Sequence, residues 1–312
     1  QFIFTHSRGF FSLRSFPAVR MMGDNDSWEN GPEYTFNVRT SMIADLTEDE
    51  GKYRGTSLIN KLKCRIVEPA DLLCRFEDNK FTRLNPQEFN VNSTIPEETA
   101  VYSSFGFGNG VFQIKFNERG IERYEFVNID RSSPDYLVNM YRIIGNQLSV
   151  GAKIRGENQF TALETFTTGE CLADYKISRI KSDVSGMKGE FELASLSGIS
   201  IDDQTVEIVR NRRLDECFPH PVYYFGTRYV YGIIQRDTES STTRMTLSKS
   251  SFYAETVNIV KLYSPDRKMI GKILDHIDIT LESINPADTP AESILNSVPT
   301  SVIVDKLQDK CL

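Results

Sequence analysis

The sequence predicts a mainly β protein, its antiparallel sheet closed or strongly curled into a barrel, with one amphipathic α-helix among the strands. Three observations predict it. Apolar and polar residues alternate along many short segments, as half-buried strands require. One segment alone carries apolar residues at helical spacing. Strands and helices do not alternate in the βαβ manner that builds a parallel sheet.

The elements follow in order. Tyr34, Phe36 and Val38 alternate with Thr35, Asn37 and Arg39, which predicts a strand from about Glu33. Leu62, Cys64 and Ile66 then stand against Leu72, Cys74 and Phe76 across Glu68-Pro69-Ala70-Asp71. Proline and aspartate supply the turn of that hairpin. A strand from Val111 to Phe116 follows the run Gly106-Phe107-Gly108-Asn109-Gly110, and Glu118-Arg119-Gly120 turns the chain into the next, Glu122 to Ile129. After Ser133-Pro134, the residues Leu137, Tyr141, Ile144 and Leu148 lie at spacings of four, three and four. That is one face of a helix, with Ser133 as N-cap and Pro134 at the first helical position. Its apolar stripe must be buried against a sheet or inside a barrel. Strand patterns resume from Cys171 to Ile180, Gly189 to Leu196, Thr205 to Val209 and Val222 to Ile234. They continue from Thr243 to Leu247, Ser251 to Tyr263 and Lys272 to Leu281.

Both ends differ from this middle. Residues 1–23 hold Arg8, Arg14 and Arg20 before the first acid at Asp24, without the continuous apolar core of a secretory leader. They are expected to be a disordered or processed extension, and the opening residue, Gln1 rather than Met, implies a preceding segment. Residues 284–312, rich in Pro, Ser, Thr and Asp, are expected to be a linker or tail. The β domain thus spans 24–283.

A chain of 312 residues, 39% hydrophobic and 25% charged, has the material for a packed core. Its formal net charge of −7 argues against bulk attraction to nucleic acid or anionic membranes, so basic contacts must be local. No stretch approaches the roughly 18–20 apolar residues of a membrane-spanning helix. Five cysteines leave one over if the rest pair. Reduced, buried thiols are the ordinary reading for a chain of this size and are expected at Cys64 and Cys74, although the hairpin sets the two nearly opposite and leaves a cross-strand bridge open. A bridge between Cys171 and Cys217 would close a long loop, worth roughly 3–4 kcal/mol in the loop-entropy picture. Asn25 and Asn92 head the two glycosylation sequons, usable only on the secretory route.

Candidate chemistry is sparse. His6, His220 and His276 stand in no metal-ligand spacing, and His220 near Cys217 lacks the third group that would orient a nucleophile pair. The glycine run precedes strand-like Val111-Phe112-Gln113-Ile114 and not a helix, so it suits a hairpin and not a phosphate loop. Glu97-Glu98 and Asp202-Asp203 lie in polar turns. No catalytic residue, metal site or cofactor is predicted. One charged segment remains, Val209 to Cys217. If it is extended, Arg210 and Arg212 share a face. Two readings stand: a local docking site for an acidic partner, or a solvated edge strand using charge against aggregation.

Several segments together resemble the N-terminal domain of vitellogenins in their insect form. They are Trp28, Gly31 and Tyr34-Thr35-Phe36; Phe112 to Phe116 with Gly120-Ile121; and Pro134 to Val150, ending Gly145-Asn146-Gln147-Leu148-Ser149-Val150. Gly169-Glu170-Cys171 with Asp174-Tyr175 follows, then Leu214 with Cys217, Tyr224-Phe225-Gly226, Leu247 to Ser251 and Lys261-Leu262-Tyr263. The landmarks keep the family's order from about Asp24 to Leu281. The resemblance implies a large antiparallel barrel around one central helix, a Cys171–Cys217 disulfide, and a secreted, non-catalytic lipid-transport protein. It also implies a receptor-binding element at Arg210 and Arg212, with Arg213 where an acid is often found, facing acidic repeats of the lipoprotein-receptor type. Cys64 and Cys74 are not family landmarks, and the short C-x-x-C of vertebrate members is absent. The helical arch and lipid-cavity sheets that follow this module in the family do not follow here, so lipid is expected to belong to the parent protein. An apolipophorin or microsomal lipid-transfer relative, or a recognition protein for microbial or damaged surfaces, are the alternatives.

Overall fold

The computed structural model describes residues 19–21, 28–47, 53–67, 71–91, 100–104, 110–117, 119–127, 135–167, 169–181, 191–193, 196, 198–201, 204–218, 235–291, 294 and 297–300. The strands are β1 (Val19–Met21), β2 (Pro32–Leu46), β3 (Tyr53–Val67), β4 (Asp71–Leu84), β5 (Ser103–Ser104), β6 (Val111–Asn117) and β7 (Gly120–Phe126). Helix α1 (Asp135–Gly145) runs into a 3-10 turn, Asn146–Leu148. Then come β8 (Gln159–Phe166), β9 (Gly169–Lys181), β10 (Phe191–Leu193), β11 (Gln204–Arg212), β12 (Gln235–Leu247), β13 (Phe252–Tyr263), β14 (Met269–Pro286) and β15 (Val298–Thr300).

One antiparallel sheet runs β15-β7-β6-β4-β3-β2-β14-β13-β12-β11-β9-β8 and curls into a nearly closed barrel, with β5 attached to β4. Period two decides what faces inward. Along β13, Phe252, Ala254, Thr256, Asn258, Val260 and Leu262 are buried while each residue between is half exposed. Eleven strands lie from β7 to β8, every neighbouring pair antiparallel. With an odd number, β7 and β8 run the same way, and an all-antiparallel ring cannot close between them. A seam results. β15 lies on β7 alone, opposite Tyr124 to Phe126.

The helix occupies the concave side. Every residue from Val138 to Val150 is buried, polar ones included, so from Val138 onward the helix is enclosed all round and not on one stripe only. Tyr141 sits edge-on among three rings, Phe76, Phe112 and Phe126, at centroid distances of 5.1, 4.9 and 5.4 Å. Burial pushes its phenol up to about 12. The Tyr124 hydroxyl donates to the Arg142 carbonyl at 3.0 Å. The Tyr124 ring lies so close to Gly145 that a Cβ there would come within 2.8 Å of it.

The fold class stands as expected, with Tyr141, Ile144 and Leu148 in the core. Four expectations need correction. Cys64 and Cys74 are bonded to each other and not free thiols, because the hairpin register sets them directly opposite on the inward face. The stretch 284–312 is not all tail: β14 continues to Pro286 past an irregularity at Leu281/Ser283, and β15 pairs with β7. Residues 19–21 pair with β10. Strand β8 was not anticipated. The side chain of Leu137, the Ser133-Pro134 cap, Val222 to Ile234, the run 106–109, Asn25, Asn92, His6, His220 and Cys311 lie outside the described residues.

Candidate functional site

Strand β11 is flanked by β9 and β12, so it is not an edge. Its even-numbered residues point inward, Val206 and Ile208 into the core and Arg210 and Arg212 after them. The two arginine side chains are 3% and 0% exposed, and between them lies Glu164 of β8, 2% exposed. One oxygen, Glu164 Oε1, accepts from Arg210 Nη1 at 2.8 Å and from Arg212 Nη2 at 2.9 Å. Arg210 Nη1 also donates to the Val150 carbonyl at 2.8 Å, which ties the chain leaving the helix to the wall. Arg212 Nη1 donates to Ser241 Oγ at 2.9 Å and Thr243 Oγ1 at 3.1 Å, and its guanidinium carbon lies 3.6 Å from the Phe166 ring centroid.

The polar chain reaches the helix. The Thr243 and Thr256 hydroxyls share a hydrogen bond of 2.8 Å, and Thr256 donates to Gln147 Oε1 at 2.9 Å. Gln147 Nε2 in turn donates to the Ile143 carbonyl at 3.2 Å. Burial pulls the Arg212 pKa down while the Glu164 charge opposes it. Arginine starts so high that the guanidinium stays charged. Gly151, at φ +79°, makes room for this cluster, since a Cβ there would stand 2.5 Å from Arg210 Nη1.

Arg210 and Arg212 do share a face, but it is the inner one. The expectation that both meet a partner from the outside is corrected, and so is the edge-strand alternative. Their countercharge comes from a strand the sequence reading did not find. Arg213, at the end of β11, does point outward with 42% of its side chain exposed. It donates to both Asp174 oxygens, at 2.8 and 2.9 Å, and to Glu216 Oε1 at 3.3 Å. The Arg213 hydrogen bonds hold the Asp174 carboxyl below its usual range.

Cys171 and Cys217 are bonded, both buried, 46 residues apart in sequence. Loop closure of that length is worth about 4 kcal/mol. Replacing both cysteines with alanine should lower unfolding free energy by about 3–4 kcal/mol in urea titration, against about 3 or less for the 10-residue Cys64–Cys74 loop. Equal losses would mean that the denatured chain does not feel loop length.

Among the described residues no group of three or more His, Cys, Asp or Glu is placed to hold a metal ion, and no helix is long and apolar enough to cross a membrane. His276 Nε2 lies 3.2 Å from Glu255 Oε2, and this contact holds the Glu255 carboxyl low.

A nearly closed antiparallel barrel wrapped round one short buried helix is a lipovitellin-like fold, and here two cystines fasten it. The family model of the vitellogenin N-terminal domain matches residues 28–269, and the chain belongs to that family. A solved structure described as lipid–protein interactions in lipovitellin is similar over 89% of this chain, at 15% identity and a TM-score of 0.58. The chain spans 28% of that longer chain. No curated protein matches it.

Proposed function

We propose that the chain is the N-terminal, non-catalytic docking module of a secreted, vitellogenin-like lipid transport protein, a yolk lipoprotein precursor whose bulk lipid is carried elsewhere. One observation carries the reading: the barrel interior is occupied by its own helix and aromatic side chains, with Tyr141 at the centre of the packing. A barrel filled by side chains leaves no room for a lipid load. Family membership supports lipid transport for the parent, and two cystines suit an oxidising compartment. The partner of this reading is a receptor with acidic repeats. Of the three arginines, only Arg213 faces solvent to meet one.

Native mass spectrometry of the chain, recovered from a secreting host, tests this. The expected mass is that of the polypeptide with any glycans. A population carrying many phospholipids per chain would reverse the division of labour.

A further inference from the structure

The seam between β7 and β8 is more than a gap. A groove of about 480 Å³ opens there. It is lined by Arg119 from the β6–β7 turn, Lys153 and Arg155 from the stretch ahead of β8, and Phe160, Ala162 and Leu163 of β8 itself. The three cations are exposed, against one lining acid, Glu157. Neither Arg119 nor Arg155 forms an ion pair among the described residues. In a chain of net charge −7 this is a local reversal of sign.

The backbone adds a second, independent observation. On β9, Glu170 exchanges hydrogen bonds with Phe218, and the Leu172 carbonyl accepts from Arg213, so the even-numbered residues of β9 face β11. The odd-numbered ones face β8 and pair with Phe160, Ala162, Glu164 and Phe166. By the alternation of an antiparallel ladder, the amides and carbonyls of Thr161, Leu163 and Thr165 point the other way, across the seam. No backbone partner meets them among the described residues. Leu163 is 43% exposed beside this edge. A strand laid antiparallel to β8 would satisfy those groups.

We propose that the seam is a docking site for an extended acidic segment of a partner protein. The segment adds to the free edge of β8 as an extra strand, with its carboxylates beside Arg119, Lys153 and Arg155. The proposal rests on the docking reading above and names a surface and partner chemistry for it. Main-chain pairing gives affinity and the cations select the charge.

The probe is a fluorescent ten-residue peptide of alternating Glu and Val, added to the full chain, with hydrogen exchange followed at single amides. Binding should slow exchange at Thr161, Leu163 and Thr165. The triple variant Arg119→Glu, Lys153→Glu, Arg155→Glu should bind about tenfold or more weakly at low salt. Its three sites are solvent-exposed, so circular dichroism should match the parent. Leu163→Pro removes one outward amide and keeps the cations, and should also weaken binding; if it does not fold, amide protection in the parent chain decides. Three outcomes overturn the proposal: no peptide binding, binding without protection at those amides, or binding unmoved by charge reversal. Capture of phosphatidylserine vesicles without peptide binding would make the groove a lipid-surface contact instead. A lipid-loaded chain that still binds the peptide would fail the functional reading and leave the seam proposal standing.

Discussion

Glu164→Ala should lower unfolding free energy by about 3–5 kcal/mol, because it strands two buried guanidiniums without a countercharge. The parent arrangement already holds two cations to one anion in a water-poor interior, with a single carboxylate oxygen accepting from both. Removing that oxygen leaves Arg210 its bond to Val150 and Arg212 its bonds to Ser241 and Thr243, none of them charged. Replacing all three groups together, with Glu164→Leu, Arg210→Met and Arg212→Met, should recover most of the loss, since an apolar filling of similar volume carries no desolvation cost. Urea titration of the two variants beside the parent measures both effects. A loss under about 1 kcal/mol for Glu164→Ala would mean that the arginines reach water, as surface pairs do. The same geometry bears on receptor assays. Charge reversal at Arg210 or Arg212 would put a second carboxylate beside Glu164, and lost binding would then report a lost fold.

Tyr141→Ala should cost a similar amount, about 3–5 kcal/mol, the range for emptying a large aromatic site in a core. The ring touches Phe76, Phe112 and Phe126, which lie on β4, β6 and β7, so the cavity would open where the helix meets three strands. Tyr141→Phe keeps those ring contacts and should lose far less. Thermal and urea unfolding of both variants provide the comparison. Near-equal stabilities would mean that the helix is not wedged by this side chain.

Much of the barrel is legible in period two, and the places where it is not share a cause. Alternation sorts a strand into two faces; which face is inside follows only when one is apolar. The β3–β4 hairpin meets that condition, so the opposition of Cys64 to Cys74 could be read directly; β13 meets it only at its ends, because buried Thr256 and Asn258 alternate there with half-exposed Val257 and Ile259. β8 violates it. Leu163 points out and Glu164 points in, the reverse of the usual pattern, and the strand passes for a polar loop. β11 changes from Val206 and Ile208 to Arg210 and Arg212 along one inward face, so its charged half reads as solvated. Phe160, Ala162 and Phe166 flanking Glu164 at even spacing were the available signal. The helix was plain from its spacing, but its buried Asn139, Arg142 and Gln147 depend on partners scattered along the chain. β15 is three residues long with a central proline, too short for any periodic signal.

The two crosslinks also set how far the barrel can be prised apart. Under a mechanical load applied across the β7–β8 opening, β8 can peel from β9 on one flank, and β7 then β6 can peel on the other, without a covalent bond in the way. Tearing then meets Cys171–Cys217 next to β9 and Cys64–Cys74 between β4 and β3, so the strands from β9 round to β4 stay rolled as a clamped tape.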